Sequence, residues 1–255
     1  MVKDMNFGYP IATGNTATIY ENENKVIKVY KEQFSNEVSI LEAQKQVYAY
    51  SYGLPVPKII EVTEIEGKQA IVMERIPGET LGELVKRDLD LATHYMNLSV
   101  EVQRNVHSFP SPKLELMTDK LKKQIQSAEI LENVQKTALI HQLESMDFEP
   151  YLCHGDFHLL NLILSDETVY ILDWIDATSG DIRADVYRSY LLYAQHSEEL
   201  AELYLHLYGE KSGTSKDEIF QWAAIIAAAR LSENVQTDNK ERLLKIIHQQ
   251  YPRQL

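Results

Sequence analysis

The first third of the chain alternates short apolar runs with turn residues, which is the pattern of β-hairpins. Residues 9–29 hold two β-branched runs on either side of the polar turn ENEN, and this arrangement predicts a hairpin. Two further strand candidates, KIIEVTEI and KQAIVMERI, are separated by a Glu-Gly turn. Between the two pairs, residues 35–52 place apolar side chains at helical spacing and are followed by a glycine and two prolines, which predicts one helix. Residues 1–75 are therefore predicted to form a mostly antiparallel sheet that carries one helix.

After residue 78 the pattern changes to long segments with helical spacing. Helices are predicted over residues 81–107 and 119–146, with a break at FPSPK, and again over most of the chain from residue 185 onward. One stretch departs from this pattern, because YLCHGDFHLLNLIL and TVYILDWI are apolar, strand-prone pieces joined by the polar turn SDE. Residues 76–255 are therefore predicted to form a second, mainly helical part with a short strand pair inside it.

Composition and charge narrow the function classes. With 44% hydrophobic and 25% charged residues, the chain has the composition of a folded, soluble protein. No apolar run approaches the roughly 18 residues of a membrane-spanning helix, and the first residues lack a signal-peptide pattern, so we predict a cytoplasmic location and no membrane partner. The net charge of -13 argues against a nucleic-acid partner and would suit a cationic substrate. The single cysteine, Cys153, excludes an internal disulfide and is predicted to be a small buried side chain.

Three oxygen-bearing side chains around the strand-prone pieces suggest a chemistry. Asp156 is followed five positions later by Asn161, and Asp173 ends the second piece. Phosphoryl transfer needs a carboxylate near the attacking hydroxyl, and it needs oxygen ligands that hold Mg²⁺ against the phosphates of ATP. Asp156 is therefore predicted to orient and deprotonate an acceptor hydroxyl, and Asn161 and Asp173 are predicted to bind the metal ion.

The segments HGDFHLLN and ILDW resemble the catalytic and metal-binding motifs of the aminoglycoside phosphotransferase and choline kinase-like family, which is related to protein kinases. The resemblance implies a two-lobed α+β fold, with a small antiparallel nucleotide-binding lobe at residues 1–75 and a larger, mainly helical catalytic and substrate-binding lobe at residues 76–255. It also implies that His154 anchors the catalytic loop by hydrogen bonding. Gly155 stands where protein kinases have arginine, and Trp174 follows the metal-binding aspartate, which points to small-molecule substrates.

The same resemblance assigns nucleotide-binding residues to the first lobe. Lys28, in the strand VIKVY, would contact the phosphates and pair with a glutamate of the predicted helix. Glu37 and Glu42 both lie there, and the alignment back from the Val-Pro pair at residues 56 and 57 favours Glu42. Main-chain groups of the lobe connection in AIVMERIPGETL would meet the adenine ring. The covering turn would contain Gly14, Asn15 and Thr16, and the lobe connection would contain Met73, Glu74 and Ile76.

Further positions in the second lobe are assigned by the resemblance or left open between two interpretations. Asp185 fits the place of an aspartate that begins the next helix as an acidic cap and holds the catalytic loop from behind. Asp176 and Asp181 are interpreted as solvated loop acids, with contact to a cationic substrate as the alternative. The histidines that lie alone on helices, such as His107, are predicted to have no function. Trp222, Arg230 and Glu233 are possible contacts of the acceptor, with core packing and a helical ion pair as the alternatives.

Together these residues predict an ATP- and Mg²⁺-dependent phosphotransferase. The γ-phosphate would go to a hydroxyl of a small molecule, such as an aminoglycoside-like compound, another amino alcohol or a sugar, because the same motifs serve all of these acceptors in the family. The alternative is a catalytically inactive kinase-like protein that binds nucleotide or acts as a scaffold. Such proteins commonly lose a catalytic aspartate, a metal ligand or the strand lysine, whereas all three are present here. A protein kinase is disfavoured because no Ala-Pro-Glu sequence follows Asp173.

Overall fold

A computed structural model of the chain describes residues 9–14, 16–34, 37–235 and 238–252. Its strands are β1 (Pro10–Thr13), β2 (Ala17–Asn22), β3 (Lys25–Tyr30), β4 (Ile59–Ile65), β5 (Lys68–Glu74), β6 (Glu79–Thr80), β7 (Tyr151–Cys153), β8 (Leu162–Ser165), β9 (Thr168–Ile171) and β10 (Thr178–Gly180). Its α-helices are α1 (Val38–Ser51), α2 (Leu81–Arg87), α3 (Ala92–Val106), α4 (Met117–Ser127), α5 (Asn133–Ser145), α6 (Ile182–Ala194), α7 (Glu198–Ser212), α8 (Lys216–Phe220), α9 (Ala223–Ser232) and α10 (Lys240–Gln250). Short 3-10 helices lie at Leu89–Leu91 and Leu159–Asn161.

The chain divides into two compact units. Unit 1 contains the chain up to Arg87 together with Leu159–Asp176, and unit 2 contains Asp88–His158 together with the chain from Ala177 onward. The central sheet of unit 1 is antiparallel, with the strand order β1-β2-β3-β5-β4. One of its faces packs with α1 in a cluster that contains Tyr30 and Ala43, and Ile27 belongs to a separate cluster. Because side chains alternate along a strand, Lys28 points to the α1 face with Tyr30.

A second, smaller sheet explains why residues 159–176 belong to unit 1. Its strands run in the order β6-β8-β9, and β6 pairs with β8 through Glu79 opposite Leu164. Just before β6, Gly78 adopts a φ of 139°, and a Cβ atom there would lie 2.1 Å from the carbonyl oxygen of Leu164. Only glycine permits this approach. The two compact units thus have other bounds than the predicted lobes, 1–75 and 76–255. That these lobes divide nucleotide binding from catalysis stays a prediction.

Unit 2 is mainly helical, and β7 and β10 form an antiparallel pair within it. The predicted helix over residues 81–107 is interrupted, because Asp88 accepts a hydrogen bond from the Asp90 amide and starts a 3-10 turn before α3. The predicted helix over residues 119–146 is also divided, since a capping box of Glu132 and Gln135 starts α5 anew. Local capping thus overrides an apolar period that continues through both breaks.

The predicted fold class is confirmed, with an antiparallel sheet in unit 1 and a mainly helical unit 2. Cys153 is fully buried at the end of β7, as predicted, and burial raises the pKa of its thiol. Among the residues that the structure describes, no helix combines the length and apolarity that a membrane span requires.

Candidate active site

In unit 1 the ammonium group of Lys28 lies between two carboxylates. Its Nζ atom donates to both oxygens of Glu42, at 2.7 and 2.9 Å, and to Oδ1 of Asp173, at 3.0 Å. The Lys28 and Glu42 side chains are buried, whereas about a third of Asp173 is exposed. The structure therefore selects Glu42 over Glu37 as the partner of Lys28, since Glu37 is exposed at the start of α1.

Local folding places these three groups together. Lys28 lies in the middle of β3, opposite Ile19 of β2 and Ile71 of β5. Glu42 is one turn into α1, on the buried face of that helix. Asp173 follows β9 with a φ of 60°, a left-handed conformation that few residues other than glycine adopt. Backbone strain of this kind is typical of functional positions.

The electrostatics of this group favour a permanently charged lysine. Burial acts to lower the pKa of Lys28, but Asp173 and Glu42 together raise it above its ordinary value. When both carboxylates are ionised, the group carries a surplus of one negative charge in a largely buried place. Burial and the nearby Asp173 carboxylate raise the pKa of Glu42, and Lys28 opposes this rise. A divalent cation at the exposed part of Asp173 would offset that surplus.

Asn161 lies near Asp173 along the β8-β9 hairpin. The Leu172 amide donates to the Asn161 carbonyl oxygen at 2.9 Å. This bond continues the pairing of β8 with β9 by one residue beyond the pair Leu162 and Ile171. Asn161 is thus opposite the residue that precedes Asp173. Amide and carboxylate oxygens are the ligands that Mg²⁺ prefers, so the donor set of Asn161 and Asp173 fits this ion.

In unit 2 the predicted catalytic loop is held by a buried aspartate. Asp185 accepts hydrogen bonds from the Gly155 amide, at 2.7 Å, and from the His154 amide, at 3.3 Å. The Nδ1 atom of His154 accepts a hydrogen bond from the Asp156 amide at 3.2 Å, and the His154 ring is fully buried. This geometry agrees with an anchoring role for His154, because its buried ring accepts a hydrogen bond from the backbone of the loop.

Asp156 lies among cationic and potentially cationic groups. The Nε2 atom of His158 lies 3.4 Å from its Oδ2 atom, and Arg188 donates to the Gly155 carbonyl oxygen at 3.2 Å. Burial acts to raise the pKa of Asp156, but His158, Arg188 and His154 lower it below its ordinary value. Asp156 is therefore ionised at neutral pH.

The nucleotide-contact residues predicted in the covering turn and the lobe connection are only partly described by the structure. Asn15 lies outside the described residues. Gly14 turns the chain by donating its amide to the Ala17 carbonyl oxygen at 2.9 Å, and the Thr16 carbonyl accepts from the Lys31 amide at 2.9 Å.

In the lobe connection, the Met73 side chain packs in the core of unit 1, in the same cluster as Tyr30. The Glu74 amide is bonded to the Lys58 carbonyl oxygen at 2.9 Å, so it is not available to adenine. Ile76 is buried. The nucleotide roles of these positions and of the covering turn stay predictions.

A family model described as the phosphotransferase enzyme family matches residues 28–223. The chain belongs to this family. The match begins at Lys28 and includes Glu42, Asp156 and Asp173, so it spans both units. The family resemblance predicted from the sequence is confirmed.

Solved structures of other proteins share the fold, which confirms that it is protein-kinase-like. An aminoglycoside phosphotransferase APH(4)-Ia variant, in complex with AMP-PNP and hygromycin B, is 13% identical with a TM-score of 0.69, covering 96% of this chain and 94% of its own. A candidate fructosamine-3-kinase from Haemophilus somnus is 12% identical with a TM-score of 0.68, and the match covers 94% of this chain and 90% of the kinase. A choline/ethanolamine kinase family protein from Mesorhizobium loti is 12% identical with a TM-score of 0.62, covering 95% and 87%. No curated protein matches the sequence.

Several sequence-based assignments in unit 2 of this family member need correction. The cap of α6 is Asp181, whose side chain accepts from the Arg183 amide, whereas Asp185 lies inside the first turn and faces the catalytic loop. Asp181 also binds the Arg183 guanidinium and the Trp222 indole, so it is not a solvated loop acid. Trp222 is fully buried and therefore belongs to the core rather than to an acceptor contact.

His107 does not lie alone on its helix, in contrast to the sequence-based prediction, because both of its ring nitrogens have partners. Its Nε2 atom lies 2.9 Å from Asp185, and its Nδ1 atom lies 2.9 Å from the Tyr208 hydroxyl. The carboxylate of Asp185 thus joins the catalytic loop to α3 and α7. Burial acts to raise the pKa of Asp185, but His107 and the Gly155 amide lower it, so the group stays charged.

Two positions near the site were not predicted, namely Tyr30 and Arg188. Tyr30 lies two residues after Lys28, and a period of two along β3 would have placed it beside the lysine. Arg188 lies one turn after Asp185 on α6, at a spacing that puts both on one face of the helix. Arg230 and Glu233 do form the helical pair that was one of the two interpretations, and Glu233 also accepts from Arg188 at 2.9 Å.

We expect Asp185→Ala to destabilise the protein strongly. The change would leave the amides of His154 and Gly155 and the His107 ring without their buried acceptor, which costs about 3 kcal/mol or more. Asp217→Ala, at an exposed position in the first turn of α8, should change the free energy of unfolding by less than about 1 kcal/mol. Urea denaturation of both variants measures this difference, and equal stabilities would refute the anchoring role of Asp185.

Proposed function

We propose that this protein is an ATP- and Mg²⁺-dependent kinase that phosphorylates a hydroxyl group of a small molecule. The observation that carries the proposal is the position of Lys28 between the carboxylates of Glu42 and Asp173. This arrangement supplies a fixed positive charge for a phosphate and a partly exposed carboxylate for a metal ion. Membership of the phosphotransferase family supports the same chemistry.

Unit 1 would bind the Mg²⁺-nucleotide complex. Lys28 would contact phosphate oxygens while Glu42 keeps its ammonium group in place. Asn161 and Asp173 would hold Mg²⁺, which neutralises phosphate charge when it is bound. Main-chain groups of Met73, Glu74 and Ile76, except the Glu74 amide that already bonds to Lys58, would complete the nucleotide contacts with the turn of Gly14, Asn15 and Thr16.

Unit 2 would supply the group that acts on the acceptor. Asp156 is held by the anchored loop and precedes Asn161 by five residues along the chain. Its carboxylate would orient the acceptor hydroxyl and take its proton. Because the phosphoryl transition state is loose, a weakly basic carboxylate is adequate when the hydroxyl is well placed.

Amino-bearing alcohols are the acceptor class that we favour. The proteins of similar fold include an aminoglycoside phosphotransferase complexed with hygromycin B and a choline/ethanolamine kinase family protein, although the sequence identity to both is low. The net charge of -13 would favour a cationic acceptor through long-range attraction. The cytoplasmic location stays a prediction.

The test is Mg²⁺-dependent release of ADP from ATP in the presence of aminoglycosides, choline, amino alcohols or sugars. Acceptor-dependent release that is lost in Asp156→Asn would support the kinase and identify its acceptor class. Binding of AMP-PNP without turnover on any acceptor would favour an inactive, nucleotide-binding relative. A protein that binds no nucleotide in the presence of Mg²⁺ would refute the proposal.

A further inference from the structure

The Glu42 carboxylate has a second buried partner besides Lys28, the hydroxyl group of Tyr30. We propose that Tyr30 is a positioning residue for nucleotide binding, which holds Glu42 so that Lys28 can turn one of its N–H groups to a phosphate. This inference rests on the proposed function, because it assigns a role within the same nucleotide site.

The geometry on β3 places Tyr30 for this task. Tyr30 lies two residues after Lys28, so both side chains project from the same face of the strand toward α1. The Tyr30 hydroxyl donates to Oε2 of Glu42. The ring of Tyr30 is buried against Ala43 and Met73, which fixes the direction of the hydroxyl. The Lys28 ammonium lies 5.6 Å from the centre of the ring.

A count of hydrogen-bond donors shows why Glu42 needs a second partner. An ammonium group has three N–H donors, and Lys28 uses them on Oε1 and Oε2 of Glu42 and on Oδ1 of Asp173. A phosphate oxygen can be bound by Lys28 only if one of these bonds is given up. The bond to Asp173 ends on a part-exposed side chain, whereas the two bonds to Glu42 end on a buried carboxylate. If Lys28 released Oε2 of Glu42, that buried oxygen would lose an ionic partner, which is costly when nothing replaces it.

Tyr30 removes that cost. With its hydroxyl on Oε2, the Glu42 carboxylate keeps one donor on each oxygen after Lys28 turns away from Oε2. Glu42 then continues to hold Lys28 through Oε1, and the ammonium stays in place for the phosphate. Tyr30 thus acts on the nucleotide through Glu42 and Lys28 and does not touch the nucleotide itself.

Tyr30→Phe tests the inference, because it removes the hydroxyl and retains the buried ring. We expect binding of Mg²⁺–AMP-PNP to weaken about five- to tenfold. This loss of affinity is smaller than the full free energy of a hydrogen bond to a charged group, because Tyr30 acts only through Glu42 and Lys28. In a Lys28→Met background, the same change should alter AMP-PNP affinity less than about twofold, because the route through Lys28 is already absent. Isothermal titration with the wild type, both single variants and the double variant measures these effects.

Tyr52→Phe is the matched control. It also removes one tyrosine hydroxyl from unit 1, at the C-terminal cap of α1, where that hydroxyl bonds to the hydroxyl of Tyr48. Its AMP-PNP affinity should equal that of the wild type. Unchanged affinity in Tyr30→Phe would overturn the inference, and so would an equal loss with and without Lys28, which would indicate a general structural effect. A wild-type protein that fails to bind AMP-PNP would instead overturn the proposed function, and with it this role of Tyr30.

Discussion

Asp156→Asn is expected to reduce turnover about 10²- to 10⁴-fold, the range of a lost general base. Asparagine has nearly the same shape and can still hydrogen bond, but it cannot accept the proton of the acceptor hydroxyl. Nucleotide binding should be unchanged, since the nucleotide-binding groups proposed above lie in unit 1. The result would separate proton transfer and acceptor orientation from nucleotide binding.

The measurement is kcat for ADP release with the acceptor found in the panel, together with the affinity for Mg²⁺–AMP-PNP. Asp119→Asn is the control, because Asp119 is an exposed aspartate in the first turn of α4 and should have wild-type kinetics. Turnover in Asp156→Asn within about threefold of the wild type would remove Asp156 from the chemistry, since even a modest general base contributes about 10²-fold.

The ionisation of Asp156 adds an expectation for the pH dependence. Its pKa is lowered by His158, Arg188 and His154, so the carboxylate keeps its charge as the pH falls past the ordinary range of an aspartate. An acidic limb of kcat near pH 5 to 7 would therefore belong to another group. If Asp156 is the only group whose ionisation limits turnover, kcat should be constant between about pH 5 and pH 7.

Local patterns placed the Lys28 strand and the helix after it, and the family resemblance supplied the predicted pairing of Lys28 with Glu42. Alternation in VIKVY placed Lys28 on a strand, and helical spacing placed two glutamates on the following helix. The choice between them depended on which face of α1 packs on the sheet. That choice is made by long-range packing of Ala43 against Tyr30 and Ile71, which no local pattern records.

Contacts between distant parts of the chain account for what the sequence did not reveal. His107 and Asp185 are 78 residues apart, and their contact depends on how α3 and α6 pack. The helix breaks before α3 and α5 were also missed, because polar caps at Asp88 and Glu132 stop helices whose apolar period continues. The motif HGDFHLLN, in contrast, could be recognised from the sequence alone, because Asp156 and Asn161 are only five residues apart.

The predicted site residues that lie close together in the sequence are divided between the two units. His154 and Asp156 belong to unit 2, whereas Asn161 and Asp173 belong to unit 1. Hydrophobicity alone predicted a single strand-prone insertion within the helical part. Pairing of β8 with β6, which requires glycine at position 78, is what assigns the hairpin to unit 1.

Asp173→Asn is expected to lose both turnover and metal-dependent nucleotide binding. Loss of the charged oxygen ligand should reduce kcat by about 10²- to 10³-fold, comparable to removing one group that stabilises developing charge. The Mg²⁺ concentration for half-maximal AMP-PNP binding should rise by about tenfold or more, whereas Asp156→Asn should leave it unchanged. Asparagine is chosen because it tolerates the left-handed backbone at this position, with φ at 60°, so only the charge is removed.

Asp166→Asn provides a matched control for this substitution. Asp166 belongs to the same hairpin and also has a left-handed backbone, with φ at 52°, but its side chain is exposed in the turn between β8 and β9. The same chemical change there should leave the Mg²⁺ dependence and kcat unaltered. If Asp173→Asn bound Mg²⁺–AMP-PNP as the wild type does, Asp173 would not be a metal ligand, and its bond to Lys28 would be its only role supported by the geometry. A rise in the Mg²⁺ requirement confined to Asp173→Asn would place the ion at this carboxylate, the more exposed of the two that contact Lys28.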